Sequence, residues 1–245
     1  MLSLFRFVVL IPLAILASLT AFIVCLVRPF DPTNSRRAAR IYGRFLLPLF
    51  GIKVEVKGWE NIPTDREYVV VANHQSNFDL LVMGRAVPFR TVSIGKTSLK
   101  WVPLFGQVYW LSGNVLIDRA RGDKAKATME QTQTALQQGH KNIWVFVEGT
   151  RNPSDTLLPF KKGAFVTAVN CGAPVVRICS ARYARKISWN RWKNGTIEIR
   201  ILPPIETQGM GKGDVETLMA QCQSSMEDAI SGLKVRHLPP PVCCG

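Results

Sequence analysis

Apolar and polar positions follow three different patterns along this chain. From Phe7 to Val27 there is no charged residue, and Arg6 and Arg28 bound the run. At about 1.5 Å of rise per residue such a helix covers roughly 30 Å, the hydrocarbon thickness of a bilayer. The rival reading is a secretory signal peptide, whose apolar stretch spans about 7–15 residues and ends at a small-residue cleavage site. Here the run continues through Phe22, Ile23, Val24 and Leu26 to Arg28-Pro29, so a membrane helix is expected instead. From Ser35 to Phe50 the period changes. Arg37, Arg40 and Arg44 recur on one helical face and Ile41, Phe45 and Leu49 on another, which predicts an amphipathic helix suited to the headgroup layer.

Beyond Ile52 short strands alternate with helices. Ile52, Val54 and Val56 alternate with polar residues, while Tyr68–Ala72, Ile143–Val147 and the shorter Val115–Ile117 are continuous apolar runs of the kind buried in parallel sheets. Helices are expected from Asp123 to Gln138, from Gly163 to Cys171 and from Asp214 to near Gly232; strands are expected from Val175 and over Thr196–Leu202. The fold class that results is α/β. A single catalytic domain over residues 51–236, with a largely parallel sheet flanked by helices, follows an N-terminal membrane helix and amphipathic helix over residues 1–50, and a Pro/Cys tail occupies 237–245.

Composition narrows the partners. A hydrophobic content of 47% excludes a disordered chain, and 31 Lys+Arg against 17 Asp+Glu leave a formal charge of +14, which points to an anionic partner. Arg28, Arg36, Arg37, Arg40 and Arg44 follow the apolar run and only Arg6 precedes it. That bias places the downstream chain on the cytoplasmic side of the cell's inner membrane. The stretch from Arg177 to Lys193 carries six basic residues among Tyr183, Trp189 and Trp192, and beside a membrane helix it suggests docking to anionic lipid rather than nucleic acid. The six cysteines form no C-x-x-C pair and are read as reduced thiols, with no metal site expected.

Three predicted strands run straight into polar clusters: Asn73-His74-Gln75-Ser76-Asn77-Phe78-Asp79, Asp118-Arg119 and Glu148-Gly149-Thr150-Arg151. Parallel strands would set all three along one rim, where α/β sheets carry their sites. His74 and Asp79 suit a general base with an orienting carboxylate, although the spacing alone fits a hydrogen-bonded loop histidine as well. No nucleophile motif accompanies them, so a substrate hydroxyl would be the nucleophile. Arg119 and Arg151 could grip a phosphate, with Gly149 allowing close backbone approach and Thr150 adding a hydroxyl. Gly95-Lys96-Thr97 lacks the earlier glycine of a nucleotide-binding loop, because Arg90 stands there.

These residues resemble the glycerolipid acyltransferase family, most of all its bacterial 1-acylglycerol-3-phosphate acyltransferases. The N-H-x-x-x-x-D block stands as Asn73, His74 and Asp79, and the G-x-x-x-I-D-R block as Gly113, Ile117, Asp118 and Arg119. The F-P-E-G-T-R-S block reads Phe146-Val147-Glu148-Gly149-Thr150-Arg151-Asn152, followed by Phe160-Lys161-Lys162-Gly163, and V-P-I-V-P reads Ala173-Pro174-Val175-Val176-Arg177. Val147, Asn152 and Arg177 depart from the pattern, and two of the departures are expected near the acceptor site.

The resemblance implies transfer of a fatty acyl group from acyl-CoA or acyl carrier protein to the hydroxyl of a lysophospholipid, in phospholipid biosynthesis and with no bound cofactor. His74 would be the base and Asp79 its partner. Lys96 would lie in the oxyanion region, and Arg119, Glu148, Gly149, Thr150 and Arg151 would bind the acceptor phosphate. A paralogue acting on another lysophospholipid or on glycerol-3-phosphate stays open. So do a lipid hydrolase and a membrane-tethered protein that binds RNA or anionic lipid.

Overall fold

A computed structural model of the chain describes residues 1–117, 130, 133, 134, 136 and 141–236, with side chains left undescribed at 96 and 117. Asp118, Arg119, most of the helix expected over Asp123–Gln138 and the 237–245 tail lie outside the described residues.

Eight strands form one sheet: β1 (Ile52–Lys57), β2 (Val69–Ala72), β3 (Thr91–Lys96), β4 (Val115–Ile117), β5 (Asn142–Phe146), β6 (Val175–Ser180), β7 (Gly195–Ile201) and β8 (Val235–Arg236). The order is β1-β7-β6-β2-β5-β3-β4, with β8 added to β7. The five strands β6, β2, β5, β3 and β4 run parallel, and β7 reverses direction against β6. Central β2 is buried at every position, which is why Val69–Ala72 is apolar without alternation. In β7 Ile197, Ile199 and Ile201 point inward while Glu198 and Arg200 do not, the signature of a strand with one solvated face. The helices are α1 (Leu2–Val27), α2 (Thr33–Leu46), α3 (Asp79–Val82), α4 (Phe105–Leu111), α5 (Gly163–Cys171) and α6 (Val215–Gly232). α5 packs against β2, α6 against β6, and α2 against β3.

Besides the two-residue β8, β3 is a strand that the sequence reading omits. Its interior glycine, Gly95, weakens the apolar pattern, and the structure explains the glycine. A Cβ there would lie 2.5 Å from the Tyr109 hydroxyl, which bonds Ser93 Oγ at 2.8 Å.

The first 50 residues form an antiparallel helical pair packed on the α/β domain. Asn34 Nδ2 donates to the Arg28 carbonyl at 2.7 Å, Ser18 Oγ and Tyr42 Oη lie 2.9 Å apart, and Arg6 Nε donates to the Leu49 carbonyl at 2.9 Å. The buried stripe of α1 is small: Ala17, Ser18, Ala21 and Cys25, at spacings that put them on one side. Small side chains let α2 and α4 approach closely. The opposite side is apolar and exposed, including Phe7, Ile11, Ile15, Leu19 and Ile23. Thus a helix long and apolar enough to cross a membrane lies along the domain, held by one face. In α2, Arg37, Arg40 and Arg44 are exposed as expected. Ala38, Tyr42 and Leu46 form the buried stripe, and Ile41, Phe45 and Leu49 are half-buried.

Arg6, fully buried, fixes the other end of this pair. Besides Leu49 its guanidinium donates to the carbonyls of Ser188 (3.2 Å), Trp189 (2.7 Å), Arg191 (2.7 Å) and Trp192 (3.2 Å), and it stands 5.4 Å from the Phe50 ring centre. A buried cation is tolerated because every N–H finds an oxygen. Arg6→Met should lower unfolding stability by on the order of 3 kcal/mol, and Arg6→Lys should restore only part of it, an ammonium having three donors. Thermal unfolding in detergent checks both.

Candidate active site

The parallel strands carry their carboxyl ends to one rim. β2 ends at Ala72 and leads into Asn73-His74, β5 ends at Phe146 and leads into Glu148, and β6 ends at Ser180 and leads into Tyr183. The first and third sequence clusters therefore meet, as expected from parallel pairing of Ala72 with Phe146. Lys96 closes β3 on the same rim.

Asp79 is 2% exposed and ties three segments together. Its Oδ2 accepts from His74 Nδ1 at 2.6 Å, Gln75 N–H at 2.6 Å and Ser76 N–H at 2.9 Å, and its Oδ1 accepts from the Tyr183 hydroxyl. Four donors converge on an oxygen pair that can only accept when ionised, so the arrangement is that of a carboxylate. Burial, reinforced by the Asp79 charge, pushes the Tyr183 phenol well above its ordinary value, keeping it a donor. With Nδ1–H turned to Asp79, His74 Nε2 carries the free lone pair, and it has no partner among the described residues. The ring is parallel to Phe146, 18° between planes and 4.2 Å between centres, so its plane is fixed. The His74 side chain keeps 23% of its surface open. A base oriented on one nitrogen and accessible on the other is what proton transfer from a substrate hydroxyl requires.

Glu148 turns inward from the rim. Its carboxylate is buried and accepts from the His74 backbone N–H at 3.0 Å, Asn152 Nδ2 at 2.6 Å and the Leu158 N–H at 3.0 Å. So engaged, it braces the two loops against each other. A further tie runs from the Asn152 N–H to the His74 carbonyl at 2.8 Å. Gly149 (φ 72°), Thr150 and Arg151 face outward on the rim, and Arg151 Nη1 donates to Asn77 Oδ1, joining the two loops. The Lys161 stem lies over Gly149, where a Cβ would sit 3.2 Å from its Cγ. That places a second cation beside Arg151.

The departures from the family pattern turn away from the open rim. Val147 is fully buried, and Asn152 serves Glu148 and the Thr156 carbonyl (2.6 Å). Arg177, inside β6, reaches Ser225 Oγ at 2.6 Å and the Pro203 carbonyl, so it belongs to the α6 contact and not to an acceptor site. The basic-aromatic stretch also divides: Arg177 and Tyr183 are buried and Trp189 half-buried, while Arg185, Lys186, Arg191, Trp192 and Lys193 are exposed. Tyr183 and Gln75, whose amide bonds Ser180 Oγ, the Ala181 carbonyl and the Tyr183 N–H, are site residues that spacing did not reveal. Cys25, Cys171, Cys179 and Cys222 are free thiols, and burial pushes Cys179 and Cys222 up to about 12, which disqualifies both as nucleophiles.

The chain belongs to the acyltransferase family, whose model matches residues 53–181, a span that includes the histidine–carboxylate pair and the outward cations of this rim. It is 40% identical over 237 residues to the 1-acyl-sn-glycerol-3-phosphate acyltransferase of Escherichia coli (strain K12), covering 95% of each chain. It is 39% identical to the enzyme of that name from Haemophilus influenzae (95% of this chain, 97% of the other). Against the human alpha form it is 40% identical (83% and 72%). The crystal structure of the 1-acyl-sn-glycerophosphate (LPA) acyltransferase PlsC from Thermotoga maritima shares the fold, with a TM-score of 0.75, 24% identity and 97% coverage of both chains.

Asp79→Asn leaves the shape intact but puts an amide where an anion held the Nδ1 proton. Turnover should fall by about 10²–10⁴ with folding retained, measured as labelled acyl transfer alongside circular dichroism.

Proposed function

We propose that this protein transfers a fatty acyl group from an acyl thioester to the free hydroxyl of 1-acyl-sn-glycerol-3-phosphate at a membrane surface, giving phosphatidic acid. The observation that carries the reading is the His74–Asp79 pair with an unengaged Nε2, on a rim whose acids face inward and whose cations face out. The names and coverage of the curated relatives support the acceptor.

In this mechanism His74 Nε2 takes the acceptor hydroxyl proton as the oxygen attacks the thioester carbonyl carbon. Asp79 holds the ring and balances the imidazolium. The tetrahedral oxyanion collapses, the C–S bond breaks, and the departing sulfur takes the proton back from His74. An ester and a free thiol result, and the base is restored. Lys96 is the proposed donor to the oxyanion. Arg151 with Thr150 and the Gly149 backbone, joined by Lys161 and by Arg119 beyond β4, would hold the acceptor phosphate and set its hydroxyl against Nε2. The chemistry needs no metal or prosthetic group, the donor being acyl-CoA or acyl carrier protein.

The membrane supplies the acceptor. Each buried methylene contributes about 0.8 kcal/mol, so a long acyl chain stays in the bilayer. The exposed face of α1, with Trp101 and Trp110 exposed elsewhere on the surface, is the apolar surface proposed to enter it. The arginine bias after α1 supports a domain on the cytoplasmic side of the inner membrane.

His74→Ala should abolish acyl transfer while leaving the protein in the membrane fraction; full activity in that variant would end the base assignment. Arg151→Ala should raise KM for the phosphorylated acceptor by about tenfold or more, the weight of a charged hydrogen bond, with little change for the acyl donor. Steady-state kinetics with each substrate varied in turn reads the difference.

A further inference from the structure

Arg40 and Arg44 stand two residues before and after Tyr42, hence on the side of α2 opposite the contact with α1. There they join Lys53 and Arg85 around a groove of about 650 Å³ with no carboxylate among its lining residues. None of the four side chains is in an ion pair or hydrogen bond with any described residue. Gly43 lets the Arg85 stem lie across α2, since a Cβ there would sit 3.3 Å from Arg85 Cδ. The floor is apolar, with Ile41, Leu47 and Ile52. Four like charges around one cavity repel, and an anion inside it relieves the repulsion.

We propose that this groove binds the phosphodiester headgroup of an anionic phospholipid of the bilayer, at a site that shares no residue with the His74–Arg151 rim. The inference rests on the membrane seating of α1 given above. Packed helices lie 8–10 Å apart, and the headgroup layer of one leaflet is about 5–7 Å deep. With the outer face of α1 in hydrocarbon, the long stems of Arg40 and Arg44 on the neighbouring helix α2 can carry their guanidinium groups back to the lipid phosphates. The apolar floor suits the glycerol end of a lipid better than a free ion. A protein partner needs about 800 Å² of matching surface, whereas these charges ring one small concavity.

The test compares binding of full-length protein to vesicles of phosphatidylcholine alone and of phosphatidylcholine mixed with phosphatidylglycerol, at matched ionic strength. Wild type should prefer the mixed vesicles by at least about tenfold, and R40Q/R44Q/K53Q/R85Q should bind both kinds alike. The equal charge change K57Q/R200Q/K212Q/K234Q should reduce the preference less than about threefold. Thermal unfolding and acyl transfer to detergent-solubilised acceptor should match wild type, and should the fourfold variant not fold, R40Q/K53Q is scored by the same ratio.

A preference kept by the groove variants, or lost equally in the control, overturns the site while the seating of α1 stands. Failure of wild type to bind either vesicle overturns both. Displacement from mixed vesicles by inorganic phosphate at constant ionic strength would make this a soluble-anion site, and displacement by an acidic acyl carrier protein a protein-docking site. Either result overturns the lipid assignment.

Discussion

The carboxylate of Asp79 accepts hydrogen bonds from pieces of chain far apart in sequence: the His74 ring and the next two backbone amides from the end of β2, and a phenol from beyond β6. Burying an ion costs several kcal/mol unless donors replace its water shell. Here they do, and the replacement fixes the imidazole tautomer, its plane and the turn into α3 together. Truncating the side chain would remove the reason for the loop to hold this shape. Orientation of the base and local folding are therefore one requirement.

Glu148 repeats the device on the neighbouring strand. Its two oxygens collect the His74 amide, the Asn152 amide group and the Leu158 amide, so that the β5 loop closes on the β2 loop. Arg182, half-buried, feels the charges of Glu148 and Asp155 and contributes compensating positive potential. With both acids turned inward, the outward side of the rim carries Arg151 and Lys161. A positive field over a partly apolar wall is a suitable landing place for a phosphorylated lipid.

Much of this was legible in the chain because burial in a parallel sheet forces continuous apolar runs, and β2, β4 and β5 appear where Tyr68–Ala72, Val115–Ile117 and Ile143–Val147 stand. The convergence of two polar clusters followed from strand direction alone. Other features resist such reading because they depend on contacts distant in sequence. Tyr183 lies 104 residues from Asp79 and looked like one more aromatic in a basic stretch. Glu148 sits beside arginine in sequence, yet its partners are amides that only the folded loops bring near. β3 is hard to read because Gly95 interrupts its apolar pattern, and the hydroxyl of Tyr109 that occupies the missing side-chain space is invisible in one dimension.

The Arg6 clamp sets an order of events during synthesis. Its carbonyl partners extend to Trp192, 186 positions downstream, so the most apolar helix of the chain leaves the ribosome long before its anchor exists. Until that loop emerges and β1 finds β7, the Arg6 end of the helix lacks its carbonyl partners, and N-terminal elements that emerge early are exposed to aggregation. Lipid or a chaperone can shelter the exposed apolar face of α1 in that interval.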